Sequence, residues 1–247
     1  GADNATIVWV NASAPRFDLP RWRGAGIVLP IFSLRSRTSF GVGDFGDLRK
    51  LIDWAHLCGL KAVQILPIND TTRTGTWADS YPYNAISVFA LHPIYVNLNE
   101  WGDLPLFQKY REQGEELNAL PQLDYERTYA LKTTFLHELF ALKGKEICTS
   151  EAYSDFVRKN RSWLDPYVSF CHKRDKYGTA DFRMWPQVKA ATEIEYDYYT
   201  FVQFLLFRQL SAVHKYATEK GILLKGDIPI GVSRDSATAW HAPHLFH

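Results

Sequence analysis

The chain has 247 residues, enough for one large domain or two small ones around a sizeable core. Hydrophobic residues make up 46% and charged residues 22%, a globular balance that sets aside disordered and fibrous classes. The formal net charge of +1 leaves no electrostatic footprint for nucleic acid or an anionic membrane, and no apolar run reaches the ~18 residues of a membrane span.

In chain order, residues 1–23 read as a linker or an extra strand from an upstream region. A strand-like run at 6–10 precedes Pro15 and Pro20. Because Gly1 rather than Met opens the chain, more sequence is expected upstream, and the lack of a leader says little. The triplets at 4–6 and 11–13 fit glycosylation acceptors but mean nothing in a cytoplasmic protein. Residues 24–32 form an apolar segment ending near Pro30 and read as strand 1. The glycine-rich stretch 39–48 leads into a helix that Asp44 or Asp47 can cap. Leu48, Leu51, Ile52 and Ala55 stripe one face of that helix, and Gly59 ends it. Residues 61–67 then read as strand 2, and short joins make the two strands parallel neighbours.

A polar, aromatic loop at 69–84 follows, then an apolar segment at 85–97 without clean period. From about 104 to 221 the pattern is helical. Leu131, Phe135, Leu139 and Leu142 share one face, as do Tyr199, Val202, Leu206, Leu210 and Val213. Ile222, Leu223 and Leu224 begin strand 3, and Gly226-Asp227 sets a carboxylate at its C-terminal end. So long a crossover between strands 2 and 3 predicts a helical subdomain packed on one side of the sheet. The resulting division is 1–23, 24–101, 102–221 and 222–247.

Several residues carry candidate chemistry. Aromatic content is 15%; flat rings stack on the apolar faces of sugars, although any single ring more often fills a core. The loop from Trp77 to Asn84 lies after strand 2, on the face where barrel enzymes hold substrate. Asp227 either sits in a barrel mouth or caps the next turn. Asp235 and Ser236 can cap the following helix, with Ser236 the favoured cap, and Trp240 packs beneath or faces a ligand. The glycines at 41, 43 and 46 lack dinucleotide spacing and a Gly-Lys-Ser/Thr, so phosphate binding is not expected. His92, His214, His241 and His244 show no metal pairing beyond a weak His241-x-x-His244, and no metal is expected. Cys58, Cys148 and Cys171 are scattered, and buried reduced thiols are expected.

The run Gly226-Asp227-Ile228-Pro229-Ile230-Gly231-Val232, with Asp235-Ser236-Ala237 and Trp240, resembles the third-strand region of the 4-α-glucanotransferases, or amylomaltases, of glycoside hydrolase family 77. Asp79-Ser80-x-Pro82-Tyr83, followed by Ser87-x-Phe89-Ala90-Leu91-x-Pro93, resembles the segment lining their glucan groove. Residues 40–48 are similar to their stretch after strand 1. The likeness is strong in three blocks (24–50, 61–97 and 222–246), in the family's order. Trp77 and the inserted Tyr81 look more like the plant cytosolic disproportionating type than the short bacterial one.

The resemblance implies an α/β fold of the TIM (β/α)8-barrel family, here an incomplete barrel of strands 1–3 with a large helical insertion between strands 2 and 3. It implies transfer of α-1,4-glucan segments with retention, one carboxylate attacking and a second acting as acid and then base. In the family these acids follow later strands. This chain has no Arg-x-Asp-His and no Gly-Glu-Asp block, so no catalytic residue is expected in it. The implied substrate-binding set is Tyr83, which stacks on or hydrogen-bonds a glucose, Asp79 and Ser80, which contact hydroxyls or hold the loop, and Asp227, Asp235, Trp77 and Trp240. The implied partner is a maltooligosaccharide or α-glucan, with no cofactor, a cytoplasmic location and self-association through open sheet edges. The alternative is a non-catalytic glucan-binding module.

Overall fold

The computed structural model describes residues 23–186 and 196–246; the expected strand at 6–10 and the two triplets lie outside them. Three strands, β1 (Gly26–Leu29), β2 (Ala62–Ile65) and β3 (Leu223–Lys225), form one parallel sheet in that spatial order. Gly26, Ala62 and Leu223 stand in register, as do Val28, Gln64 and Lys225.

Each strand is shorter than its apolar run. Pro30 has no N–H to continue a ladder, and after it the chain coils into a 3-10 turn at Ile31–Ser33. Pro67 follows β2 closely in the same way. At β3 the Ile222 N–H donates to the Ala217 carbonyl at 2.9 Å, so pairing begins one residue later than expected.

Among the described residues the α-helices are α1 (Phe45–Leu57), α2 (Pro105–Ala119), α3 (Tyr125–Cys148), α4 (Glu151–Tyr177), α5 (Tyr198–Glu219) and α6 (Ala237–His241). Helix α1 starts where Asp44 Oδ1 accepts from the amides of Gly46 (2.9 Å) and Asp47 (3.3 Å), while Asp47 Oδ2 takes the Asp44 amide, a capping box. A protein carboxylate occupies the donors that a phosphate would need. Gly43 is required by contact, since a Cβ there would lie 2.0 Å from the Ile31 carbonyl oxygen.

Successive strand residues point to opposite faces, so the sheet has two unlike sides. Val63 and Ile65 are buried, and Ile27, Leu29 and Leu224 pack into the same core under α1 and α5. On the other face Val28 is 62% and Leu223 60% exposed. Helix α5 thus closes the 104–221 stretch by docking onto α1 and β3, and it also touches α3 and α4.

Much of the aromatic content is core. Trp163 and Phe156 of α4 meet Phe207 of α5 at 5.6 and 5.3 Å, and Tyr153 meets Phe204 at 5.2 Å. Leu142 shares the face of Leu131, Phe135 and Leu139 but is 59% exposed, past the packing that buries the other three. Cys148 and Cys171 are buried and free. Cys58 is exposed, because it follows the last turn of α1 on the surface and not in the core.

Side chains inside the helices hold the irregular segment at 85–97. Gln203 accepts from the Leu91 amide and donates to the Leu91 carbonyl, both at 2.8 Å; Gln209 repeats this at Asn97, at 2.8 and 3.0 Å. Each amide side chain thereby stands in for a neighbouring strand. Lys132 is fully buried and donates from Nζ to the carbonyls of Ile94 and Val96, each at 2.8 Å, and to Asp44 Oδ2 at 3.2 Å. Burial pushes the Asp44 carboxyl up and the Lys132 ammonium down, and each opposes the shift in the other. Among the described residues no helix is long and apolar enough to cross a membrane.

Candidate functional site

The chain leaves β2 and β3 on the same edge of the sheet, because parallel strands share a direction. The two exits are laced together. Ala85 and Val232 form a parallel bridge, Ser233 N–H donates to the Ala85 carbonyl at 2.8 Å, and Ala237 N–H donates to the Ile86 carbonyl at 2.9 Å. Above this lacing the Tyr83 hydroxyl donates to Asp227 Oδ2 at 2.8 Å, and Asp227 Oδ1 accepts from the Ile228 amide at 2.9 Å. The hydrogen bond to the carboxylate holds the Tyr83 phenol above its ordinary pKa, so it stays a donor. Asp227 is half-buried, fixed in direction, and able to accept from hydroxyl groups. The Tyr81 ring lies 5.7 Å from that of Tyr83 at 48° and is 61% exposed, giving this mouth two neighbouring flat surfaces.

Asp79 holds its own loop. Its buried Oδ2 accepts from the amides of Arg73 (3.1 Å), Thr74 (2.8 Å) and Gly75 (2.6 Å), with Gly75 at a positive φ that closes the turn. Its Oδ1 is buried without a hydrogen-bond partner, 3.7 Å from Arg73 Nε. Ser80 is half-buried after the short 3-10 turn Trp77–Asp79. Trp77 is 63% exposed, anchored through its amide to Glu126 Oε1 at 3.1 Å.

Asp235 and Trp240 belong to a different neighbourhood. Asp235 Oδ1 meets Arg183 Nη2 at 3.5 Å, and that guanidinium also holds Asp181. Trp240 packs 5.8 Å from Trp185 and 6.2 Å from Phe170, with the Lys173 ammonium 5.3 Å from its ring centroid. Neither shares a hydrogen bond or ring contact with Tyr83 or Asp227 among the described residues. Of the two expected roles for Trp240, packing is the one its contacts fill. Ser236 caps α6 as favoured, accepting from the Ala239 amide at 3.0 Å.

Two cavities flank the Tyr83–Asp227 pair. One, of 430 Å³, lies between Leu66, Ile68, His214 and Asp227. The other, of 310 Å³, lies behind Trp77 and Tyr81. Sequence reasoning missed the residues that set the site's backbone, Gln203, Gln209 and Arg183. A signal did exist for Gln203, a lone amide inside the apolar run 201–206, since a polar group buried among such residues needs a partner.

The profile of the family described as 4-alpha-glucanotransferase, glycoside hydrolase family 77, matches residues 29–247. The chain belongs to this family. It is 38% identical over 242 residues to the 4-alpha-glucanotransferase DPE2 of Oryza sativa subsp. japonica, covering 91% of this chain and 26% of that protein. It is 34% identical over 231 residues to the 4-alpha-glucanotransferase of Chlamydia muridarum, covering 87% of this chain and 42% of that one. Among solved structures it is similar in fold to the amylomaltase of Streptococcus agalactiae in complex with acarbose, with a TM-score of 0.73 at 23% identity. That match covers 91% of this chain and 47% of the other. The chain therefore spans between about a quarter and a half of the length of these family members.

Proposed function

We propose that this chain is the glucan-groove portion of a 4-α-glucanotransferase, which passes α-1,4-glucan segments between maltooligosaccharides or glucans by a retaining double displacement. The single observation that supports this best is the 2.8 Å hydrogen bond from Tyr83 to Asp227, joining the loops after β2 and β3 on the C-terminal edge of a parallel sheet. That edge is where barrel enzymes keep substrate-binding groups. In this reading the sheet is the first part of a TIM barrel, with β1, β2 and their loops in residues 24–101 and β3 in 222–247. Residues 102–221 are then a helical insertion that ends by docking α5 on the sheet. The face bearing Val28 and Leu223 becomes the barrel interior.

Within the proposed groove, Tyr83 and Asp227 contact glucose hydroxyls directly, Ser80 and Trp77 line the approach, and Asp79 keeps the loop in shape. Asp235 and Trp240 act from the second neighbourhood, through Arg183 and the Trp185 packing, on how the loop after β3 sits. The protein works in the cytoplasm. The nucleophile and the acid/base are not among these 247 residues, so the chain by itself binds glucan without transferring it. Two assays on the purified chain test this. Maltoheptaose should bind, with affinity falling in the Tyr83→Phe and Asp227→Asn variants, and maltose disproportionation should be absent. Measurable disproportionation, or no binding of maltoheptaose, refutes the corresponding half.

A second reading, a module that holds glucan without taking part in its chemistry, shares the binding result. The two part when the chain is supplied within a longer polypeptide carrying the family's acids: transfer that depends on Tyr83 and Asp227 favours the enzyme.

A further inference from the structure

The loop after β1 carries the run Leu34-Arg35-Ser36-Arg37-Thr38-Ser39, in which hydroxyl groups stand beside arginines. The proposed glucan groove makes no use of it. Residues 36–39 form a turn closed by a backbone hydrogen bond from the Ser39 amide to the Ser36 carbonyl at 3.3 Å. Side-chain amides from elsewhere in the fold hold this turn in place. Asn118 Nδ2 donates to the Ser36 carbonyl at 2.7 Å, and Asn99 Nδ2 to the Thr38 carbonyl at 2.9 Å.

The hydroxyls differ in what they do. Ser39 is buried and donates to Asp47 Oδ2 at 2.7 Å; Ser36 is half-buried and donates to Asp47 Oδ1 at 2.5 Å. Both protons are committed to the carboxylate that completes the α1 capping box. Thr38 is exposed, and its Oγ1 accepts from the Lys50 ammonium. Its own proton goes to no carboxylate among the described residues, so this hydroxyl is the one open to a phosphoryl donor. Lys50 also donates to Ser36 Oγ at 2.7 Å and stands 3.5 Å from Asp47 Oδ1. A cation is therefore already seated where a phosphate on Thr38 would lie. Arg37 is exposed and takes part in no hydrogen bond or ion pair among the described residues, which leaves a second cation next to Thr38 in the chain.

We propose that Thr38 is a phosphorylation site for an arginine-directed serine/threonine kinase, with Lys50 as the cation that receives the phosphate. Arg35 and Arg37, just upstream of Thr38, supply the charge pattern such a kinase reads. Thr38 Oγ1 attacks the γ-phosphorus of ATP. The new O–P bond forms as the bond to the β,γ-bridging oxygen breaks, ADP leaves with that electron pair, and the hydroxyl proton passes to the kinase's catalytic aspartate. The product brings a charge of about −1.5 to −2 and three acceptor oxygens. Parallel strands share a direction, so the loop after β1 leaves the sheet on the edge that also bears Tyr83 and Asp227, and the modification recharges that edge. The proposal stands apart from the glucan reading, and its failure would leave that reading untouched.

The test treats the folded 247-residue chain with Mg·ATP and either the catalytic subunit of cyclic-AMP-dependent kinase or a calmodulin-dependent kinase, and locates the phosphate by fragmentation mass spectrometry. A single phosphoryl group should appear on Thr38. Thr38→Val should abolish it, and Arg37→Ala, which removes no contact, should slow it several-fold. Phosphorus NMR then reads the surroundings of the phosphate. Lys50 should hold its second pKa below the ordinary value of about 6 by roughly 0.2–0.7, and Lys50→Met should raise it to that value or above. The Lys50 side chain is 50% exposed, so this substitution spares the core. No incorporation by either kinase, or incorporation elsewhere with Thr38 bare, overturns the proposal. A rate indifferent to Arg37→Ala overturns the arginine-directed recognition, and a titration indifferent to Lys50→Met overturns the receiving role of Lys50.

Discussion

Replacing Lys132 with methionine should be the most damaging conservative change in the chain. The ammonium is 0% exposed and serves three acceptors from two separate segments: Asp44 at the start of α1 and the carbonyls of Ile94 and Val96. Methionine fills similar space, so the packing loss is small. What remains is a carboxylate, 1% exposed as a residue, with two helix amides but no cation, and two carbonyls without their donor. Breaking a buried pair from one side costs about 3–5 kcal/mol, a large part of the 5–15 kcal/mol that folded domains typically hold. With an m-value near the upper end of about 1–3 kcal/mol/M, the urea midpoint should fall by roughly 1–2 M. The double variant Lys132→Met with Asp44→Asn removes the stranded charge while keeping a good helix cap, and should recover more than half of the loss. Equilibrium urea unfolding followed by far-UV circular dichroism measures both. A single variant losing less than about 1 kcal/mol, or a double variant no better than the single, would refute the reasoning.

Asp79→Ala removes the acceptor of three amides in the 73–75 turn and should cost about 1–3 kcal/mol, with faster proteolysis inside the 69–84 loop as the local readout. Unchanged cleavage would mean that the turn holds without its carboxylate. His172 Nε2 hydrogen-bonds Asp197, the cap of α5, and this bond raises the histidine above its ordinary pKa, with Asp175 adding and Arg174 opposing. A raised folded-state pKa gives stability that is present below about pH 6.5 and lost as pH rises through the folded value. His172→Gln should therefore lower the melting temperature at pH 5.5 more than at pH 8.5. An equal loss at both refutes the linkage. Buried His92 runs the opposite way, since burial lowers its pKa and protonation favours unfolding as pH falls. The exposed Val28 and Leu223, with Ile228 and Ile230 at 77% and 92%, should drive concentration-dependent association of this chain in sedimentation velocity. Val28→Lys should suppress it, and a monomer at every concentration counts against it.

Local chemistry made much of this legible. The βαβ unit, the Asp44 cap, the Ser236 cap and the positive-φ end of α1 at Gly59 depend on residues close in sequence, whose propensities need no distant partner. The placement of Asp227 at the end of β3 came from the same kind of reading. The strands are shorter than their apolar runs, because those runs continue past the points where proline or a helix-closing hydrogen bond ends the ladder.

The amino-acid sequence alone determined the order of elements, the family and which loop leaves each strand. Only the tertiary structure decided which members of the expected binding set meet. It joined Tyr83 to Asp227, turned Asp79 inward onto its own loop, and set Trp240 and Asp235 against Trp185 and Arg183. It also recruited Gln203 and Gln209 from a helix more than a hundred residues away to hold segment 91–97. The physical reason is range: caps and turns are settled within a few residues, whereas a carboxylate's partner is settled by whichever donors the packed layers bring within about 3 Å.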